Sequence, residues 1–119
     1  MRHKVQRQSK LGREADHRGL LVRNLATSLV IHQRVKTTPA KARLVRSVFE
    51  QLITRVRSQK EEREAIRILK TKLLTEQAQK KILKKLIPQF KERASGFTRI
   101  TNLKIRKGDS APEVLLELL

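Results

Sequence analysis

Three histidines, eleven carboxylates and a scatter of hydroxyls are the side chains of this sequence whose types could do chemistry. His3, His17 and His32 stand at no HExxH and no paired i, i+4 spacing, and no cysteine supplies a thiolate, so a metal site would need acids from remote segments. No metal and no cofactor is expected. His17 beside Arg18, and His32 beside the first extended segment, read instead as surface donors to phosphate or as helix-end residues. Acid/base catalysis needs two carboxyls in a common cleft. Glu50, Glu61, Glu62 and Glu64 lie in helical stretches rich in Lys and Arg, where ordinary ion pairs account for them. There is no Gly-rich phosphate loop, and no serine stands in a nucleophile-elbow pattern. The expectation is a protein that is not an enzyme and has no small-molecule substrate.

The cations carry the remaining signal. The 119 residues hold 29 Lys and Arg against 11 Asp and Glu, a net charge of +18 and a sequence pI near 11.5. Self-repulsion of that size favours an anionic partner. Twelve of the cations fall in Met1 to Arg46 against Glu14 and Asp16, which leaves +10 there and +8 in the rest of the chain. Arg can bridge phosphate oxygens with two hydrogen bonds, whereas Lys acts as a point charge. Aromatic residues are Phe49, Phe90 and Phe97 alone, so there is no platform for stacking single-stranded bases. Phe49 belongs to the core, and Phe97 is expected to pack under the sheet. Cations without aromatics suit the phosphates and grooves of folded RNA better than base-by-base reading. The apolar run Gly19 to Ile31 is interrupted by Arg23 and Asn24, unlike a signal peptide core. No segment approaches the roughly 20 apolar residues of a membrane span, so no membrane partner is expected. The lack of Cys is compatible with a reducing cytosol.

These side chains need elements to hold them. Met1 to Leu11, with five basic side chains and no acid, cannot repay the entropy of ordering by burial and reads as a basic flexible arm. From about Arg13 to His32, Leu21, Val22, Leu25, Ala26, Leu29 and Val30 form an apolar stripe at helical spacing, with Arg23 and Thr27 on another face and Asp16 as a possible local cap. Gln33 to Thr37 is a short extended segment in which Val35 points away from Arg34 and Lys36. Thr38 and Pro39 open a second helix to Arg57. Ser58 and Glu61 match a capping box, which predicts a third helix from Gln59 to about Leu73 that buries Ile66, Leu69 and Leu73. Thr75 caps a fourth, Glu76 to Leu86, before Pro88 breaks or kinks it. Thr98 to Lys107 reads as a strand with a bulge near Thr101 or Asn102, GDSAP as a turn, and Glu113 to Leu119 as a final strand antiparallel to its predecessor. The fold class is α+β: four helices packed on a small three-stranded mixed sheet, a single domain over 12–119 behind an extended N-terminal arm.

The residues also resemble a known family in order and spacing. Met1-Arg2-His3, Gly12-Arg13, His17-Arg18, Arg23-Asn24-Leu25-Ala26, Ser28-Leu29, His32, Val35-Lys36-Thr37-Thr38, Lys41-Ala42-Arg43, Arg46 and Leu52-Ile53-Thr54 are similar to the bacterial L-seventeen family of large-subunit ribosomal proteins. Gly96-Phe97-Thr98-Arg99-Ile100, Arg106-Lys107-Gly108-Asp109, Ala111-Pro112 and Glu117-Leu118 match its closing pattern. Ser95-Gly96-Phe97 departs from the family's usual Gly-Gly-Tyr, and Lys60 to Lys85 lacks its usual Arg-Arg pair. The resemblance implies a structural, cytoplasmic component of the large ribosomal subunit, whose partners are large-subunit ribosomal RNA and neighbouring ribosomal proteins. Carried over by position, the implied RNA contacts are Arg2, His3, Lys4, Arg13, His17, Arg18, Arg23, Asn24, Lys36, Thr37, Thr38, Lys41, Arg43, Arg46 and Arg99. Charge and placement add Arg7 and Arg34. The alternative is a basic DNA-binding or nucleoid-associated protein, but the extended residues between the first two helices fit a helix-turn-helix poorly.

Overall fold

Helix α1 (Ala15–His32) buries Val22, Ala26, Leu29 and Val30, a spacing of three and four residues that keeps one face inward. It is the first element of the computed structural model, which describes Leu11, Gly12 and residues 14–119. The expected arm ahead of Leu11, with Arg2, His3, Lys4 and Arg7, lies outside the described residues, and so does Arg13. Two expectations for α1 change. Leu21 is only half-buried, whereas Thr27 turns inward, where its hydroxyl donates to the Arg23 carbonyl at 2.7 Å and accepts the Leu74 N–H at 3.0 Å. Glu14, in extended backbone, takes the N-cap position, so Asp16 is a first-turn residue and not the cap.

At its far end α1 stops on Gln33, which adopts the left-handed conformation at φ 67° and returns its N–H to the Leu29 carbonyl at 2.8 Å. That turn aims the chain into strand β1 (Arg34–Thr37). The Gln33 carbonyl is then taken by the Leu118 N–H at 3.0 Å, which ties the turn to the last strand.

Helix α2 (Pro39–Arg57) has the expected bounds, with Thr38 at the N-cap and Pro39 at the first helical position. The Thr38 hydroxyl makes no capping bond. Ala42, Val45, Phe49, Leu52, Ile53 and Val56 run along its buried side, and Phe49 and Ile53 are fully enclosed. Helix α3 (Glu62–Lys72) starts three residues later than the capping-box pattern predicts. Ser58 ends α2 instead: its N–H bonds the Thr54 carbonyl and its hydroxyl the Arg55 carbonyl, so it cannot also open the next helix. Glu61 takes the N-cap position, and the buried row is Ala65, Leu69 and Leu73, with Ile66 half-exposed.

Thr75 caps α4 (Glu76–Lys81) as expected, its hydroxyl accepting the Ala78 N–H at 3.3 Å. The rod then continues through a π-helical turn (Ile82–Leu86) into a last turn, α5 (Ile87–Gln89). Pro88 does not end it. Proline has no N–H for the carbonyl four residues back, and the chain meets that shortage by widening the turn before it, where the Ile87 N–H reaches the Ile82 carbonyl. Ile82, Leu86 and Phe90 stay buried along the rod.

Strands β2 (Thr98–Ile105) and β3 (Pro112–Leu118) complete a sheet of order β1-β3-β2. It is antiparallel throughout, not mixed. β1 and β2 run the same way, but β3 lies between them and opposes each. Register pairs Arg34 and Arg99 with Glu117 from either side, and an irregularity between Asn102 and Ile105 places the expected bulge one or two residues further on. The helices cover one face, where Phe97, Val114 and Leu116 are buried and the Phe90 and Phe97 rings meet at 5.0 Å. Four helical rods against one face of a three-stranded sheet make the α+β arrangement. No helix among the described residues is long and apolar enough to cross a membrane.

Candidate nucleic-acid interface

Between Asp16 and Glu50 the sequence contains no acidic residue, yet it carries Arg18, Arg23, Arg34, Lys36, Lys41, Arg43 and Arg46. The fold distributes these over three connected elements. On α1, His17 and Asn24 are exposed and, seven residues apart, share the outward face. Arg18 and Arg23 flank that face and are half-buried. The Arg23 Nε is closed off from solvent with no hydrogen-bond partner among the described residues, so any ligand contact of this side chain falls to its terminal nitrogens.

On β1, Arg34 and Lys36 lie on the sheet face opposite the helices and are exposed, while Val35 between them packs against the core. Thr37 and Thr38 turn the corner half-buried. On α2, Arg43 and Arg46 are exposed and, three residues apart, neighbours on one face. Lys41 is half-buried and does not share it, because residues two apart on a helix point to different sides. The segment therefore sets Arg34, Lys36, Thr37, Thr38 and Lys41 along the β1–α2 corner of the chain, with a pair of arginines further along α2. The first turn of α2 holds no acid and its N-cap hydroxyl is not used, so the partial positive charge of the helix end adds to that of the corner.

None of Arg34, Lys36, Lys41, Arg43 and Arg46 enters an ion pair or a side-chain hydrogen bond among the described residues. Arg99 differs. Its Nε and Nη2 donate to Glu117 Oε1 at 3.0 and 2.7 Å, which engages two of its five N–H donors across the sheet. Glu117 thus stands between Arg99, which it binds, and Arg34, which faces it in register without a bond.

Two cations that the sequence does not single out prove to be internal fittings. Arg57, at the end of α2, donates from Nη1 to the Phe90 carbonyl at 3.2 Å and to the Arg93 carbonyl, and from Nη2 to the Ala94 carbonyl at 3.0 Å. Its guanidinium also lies over the Phe97 ring, 5.2 Å from the centroid. Phe97 itself is fully buried, which leaves it unable to stack on a base. Lys81 donates to the Ile31 carbonyl in the last turn of α1 at 2.9 Å. The partners lie 33 to 50 residues away in sequence, so no local pattern could have announced them.

His17 and His32 sit at opposite ends of α1, and no group of three His, Cys, Asp or Glu among the described residues could hold a metal ion. The exposed cations along this segment can neutralise several phosphates.

Comparison with known proteins gives this corner its context. The profile of the family described as ribosomal protein L17 matches residues 21–119, which takes in all of β1, α2 and the sheet. The chain is 40% identical over 110 residues to the large ribosomal subunit protein bL17 of Desulfitobacterium hafniense (strain DSM 10664 / DCB-2), covering 92% of this chain and 96% of that one. It is 39% identical to bL17 of Campylobacter concisus (strain 13826) over 100% of this chain and 98% of the relative. With bL17 of Rubrobacter xylanophilus it shares 39% identity over 100% of this chain and 96% of the other. Matches of that extent leave no major element of the fold unaccounted for, and the chain belongs to the ribosomal protein L17 family.

Proposed function

We propose that this chain is a structural constituent of the large ribosomal subunit that holds large-subunit ribosomal RNA by phosphate contacts from the α1–β1–α2 segment. The observation that carries the reading is the acid-free stretch between Asp16 and Glu50, whose exposed cations meet no partner within the described chain. Unpaired cations in a fixed array are set to receive converging phosphates, and they release condensed counterions when they do so. The grip consists of Arg34, Lys36, Thr37, Thr38 and Lys41 at the corner and Arg43 and Arg46 beside it. His17, Arg18, Arg23 and Asn24 on α1 extend it, as do Arg2, His3, Lys4, Arg7 and Arg13 ahead of α1. Arg99 contributes with the donors that Glu117 leaves over.

The role is mechanical and electrostatic, not catalytic: the α+β body fixes the spacing of the cations, and the cations fix the spacing of RNA strands. Neighbouring large-subunit proteins are its other partners, and the cytoplasm of a bacterium is its place. The sheet stiffens the corner through its pairing of Arg34, Val35, Lys36 and Thr37 with Glu117, Leu116, Leu115 and Val114.

The experiment is gradient sedimentation of a tagged chain from bacterial cells in low-salt magnesium buffer, with ribosomal particles resolved. The chain is expected in the large-subunit and 70S-type peaks and released from them by high salt. Its retention at the top of the gradient while particles assemble normally would overturn the reading. Competition between purified large-subunit ribosomal RNA and duplex DNA, at fixed salt, separates it from the nucleoid alternative, which tighter DNA binding would favour.

A further inference from the structure

Residues 101–110 are all exposed, so the hairpin that joins β2 to β3 stands clear of the helical layer. The α1–β1–α2 grip uses none of it. Beyond Asn102 the register slips, so that Leu103 and Lys104 together oppose Glu113, and Ile105 comes back opposite Pro112. Pro112 alternates with Val114 and Leu116, which places Ile105 on the side of the sheet that elsewhere faces the core. No helix reaches it there, and Ile105 is 68% exposed.

The tip is closed by its own residues. Arg106 Nε and Nη2 donate to the two carboxylate oxygens of Asp109 at 3.1 and 2.6 Å, and Asp109 Oδ1 accepts the Ala111 N–H at 3.2 Å. The Arg106 N–H meets the Ala111 carbonyl at 2.7 Å, while Gly108 and Ser110 take the positive φ values the turn requires. A turn locked in this way holds its shape without support from the core. It presents a bare isoleucine between two cations, Lys104 and Lys107, that have no ion pair or side-chain hydrogen bond among the described residues. The single acid of the turn is already bonded internally.

We propose that the β2–β3 hairpin is a second RNA-binding element, a finger that sets Ile105 against sugar and base edges of a folded RNA while Lys104 and Lys107 take the phosphates on either side. It rests on the ribosomal RNA reading above and adds a contact on a different element, so that one rigid body joins two RNA segments. The charge favours RNA over a protein partner. Free lysines on both sides of an exposed aliphatic, on a chain of net charge +18, match a surface that is both anionic and partly apolar, which grooves and bulges of RNA are.

The test places a photoreactive phenylalanine analogue at Ile105 of the full chain, and in a second variant at Arg43, in bacterial cells whose large subunits are then purified on a gradient. Ile105 is expected to crosslink to ribosomal RNA at nucleotides distinct from those reached from Arg43. Crosslinking of the Ile105 probe to a protein, or to nothing while the Arg43 probe still reaches RNA, overturns the finger and leaves the grip standing. Failure of both probes to reach RNA overturns the underlying reading as well. In solution with purified large-subunit ribosomal RNA, the full chain carrying Lys104→Gln and Lys107→Gln should show a salt slope of log affinity shallower by about 1.4 to 1.8. An unchanged slope counts against the proposal. The exposure of all three positions keeps these changes out of the core.

Discussion

In the segment 34–46, Arg34, Lys36, Lys41, Arg43 and Arg46 find no carboxylate or carbonyl for their side chains among the described residues, whereas Arg57 and Lys81 direct theirs to carbonyls of distant loops and helix ends. The residue types are the same; the difference lies in what each meets inside the fold. A cation bonded to carbonyls left over at a helix end works for stability. A cation without such a partner keeps its donors for something outside. Removing one set should therefore affect RNA binding and not folding, and removing the other should do the reverse.

The largest effect is expected from the grip. Replacing Lys36, Lys41, Arg43 and Arg46 by Gln together should make the salt slope of binding to large-subunit ribosomal RNA shallower by about 2.8 to 3.6. Stability in urea should move by no more than about 0.5 kcal/mol per site, because none of the four makes an ion pair or side-chain hydrogen bond among the described residues. A variant that unfolds early yet keeps its slope would reverse the comparison.

Next in size is Arg57→Ala. It removes the guanidinium from three carbonyls, of which that of Phe90 keeps the Arg93 N–H, and uncovers the Phe97 ring, and should cost about 2 to 3 kcal/mol in urea unfolding. The salt slope should change by no more than a single charge accounts for. Arg57→Lys restores the charge but not the planar fork that reaches three carbonyls, so it should recover less than half of the lost stability. Full rescue by lysine would mean that charge alone matters at this position.

The elements that could be read in the sequence were those with their own punctuation. Thr38-Pro39 marks the start of α2 wherever the rest of the chain goes, and Thr75 marks α4 in the same way. Ser58 shows the limit: its spacing to Glu61 is that of a capping box, but the hydroxyl was already bonded to the end of the preceding helix. Pro88 was expected to break or kink its rod, and the rod instead carries it through a change in hydrogen-bond pattern and ends one residue later. The direction of β1 against its neighbour depends on β3 lying between β1 and β2, a matter of long-range packing that no local pattern carries. The same holds for the site. Charge and family resemblance singled out the cations from Arg34 to Arg46 that make up the proposed grip. That Arg57 and Lys81 are internal, that Arg99 is tied to Glu117, and that Ile105 stands beyond the helical layer all depend on partners remote in sequence.

Arg106 forms a third case between the two sets, a cation bonded within its own turn, and it yields the smallest and most local effect. The Asp109 carboxyl is lowered from its ordinary 3.8 to about 2, first by the Arg106 hydrogen bond and then by the Ala111 N–H. A carboxyl whose folded pKa is depressed contributes its stabilisation above the unfolded value and loses it as pH falls through the folded one. The tip should thus hold its geometry from neutrality down to about pH 4 and loosen between about pH 4 and pH 2. The Ala111 amide, followed by NMR through that range, is the reporter, since its N–H is bonded to the titrating oxygen. Asp109→Asn should abolish the transition and leave the amides of α2 unmoved. An Ala111 shift that titrates near the ordinary value, or that persists in the Asn variant, would show that Arg106 does not hold the turn. Lys104 and Lys107 would then lack the fixed spacing that distinguishes a finger from a loose basic loop.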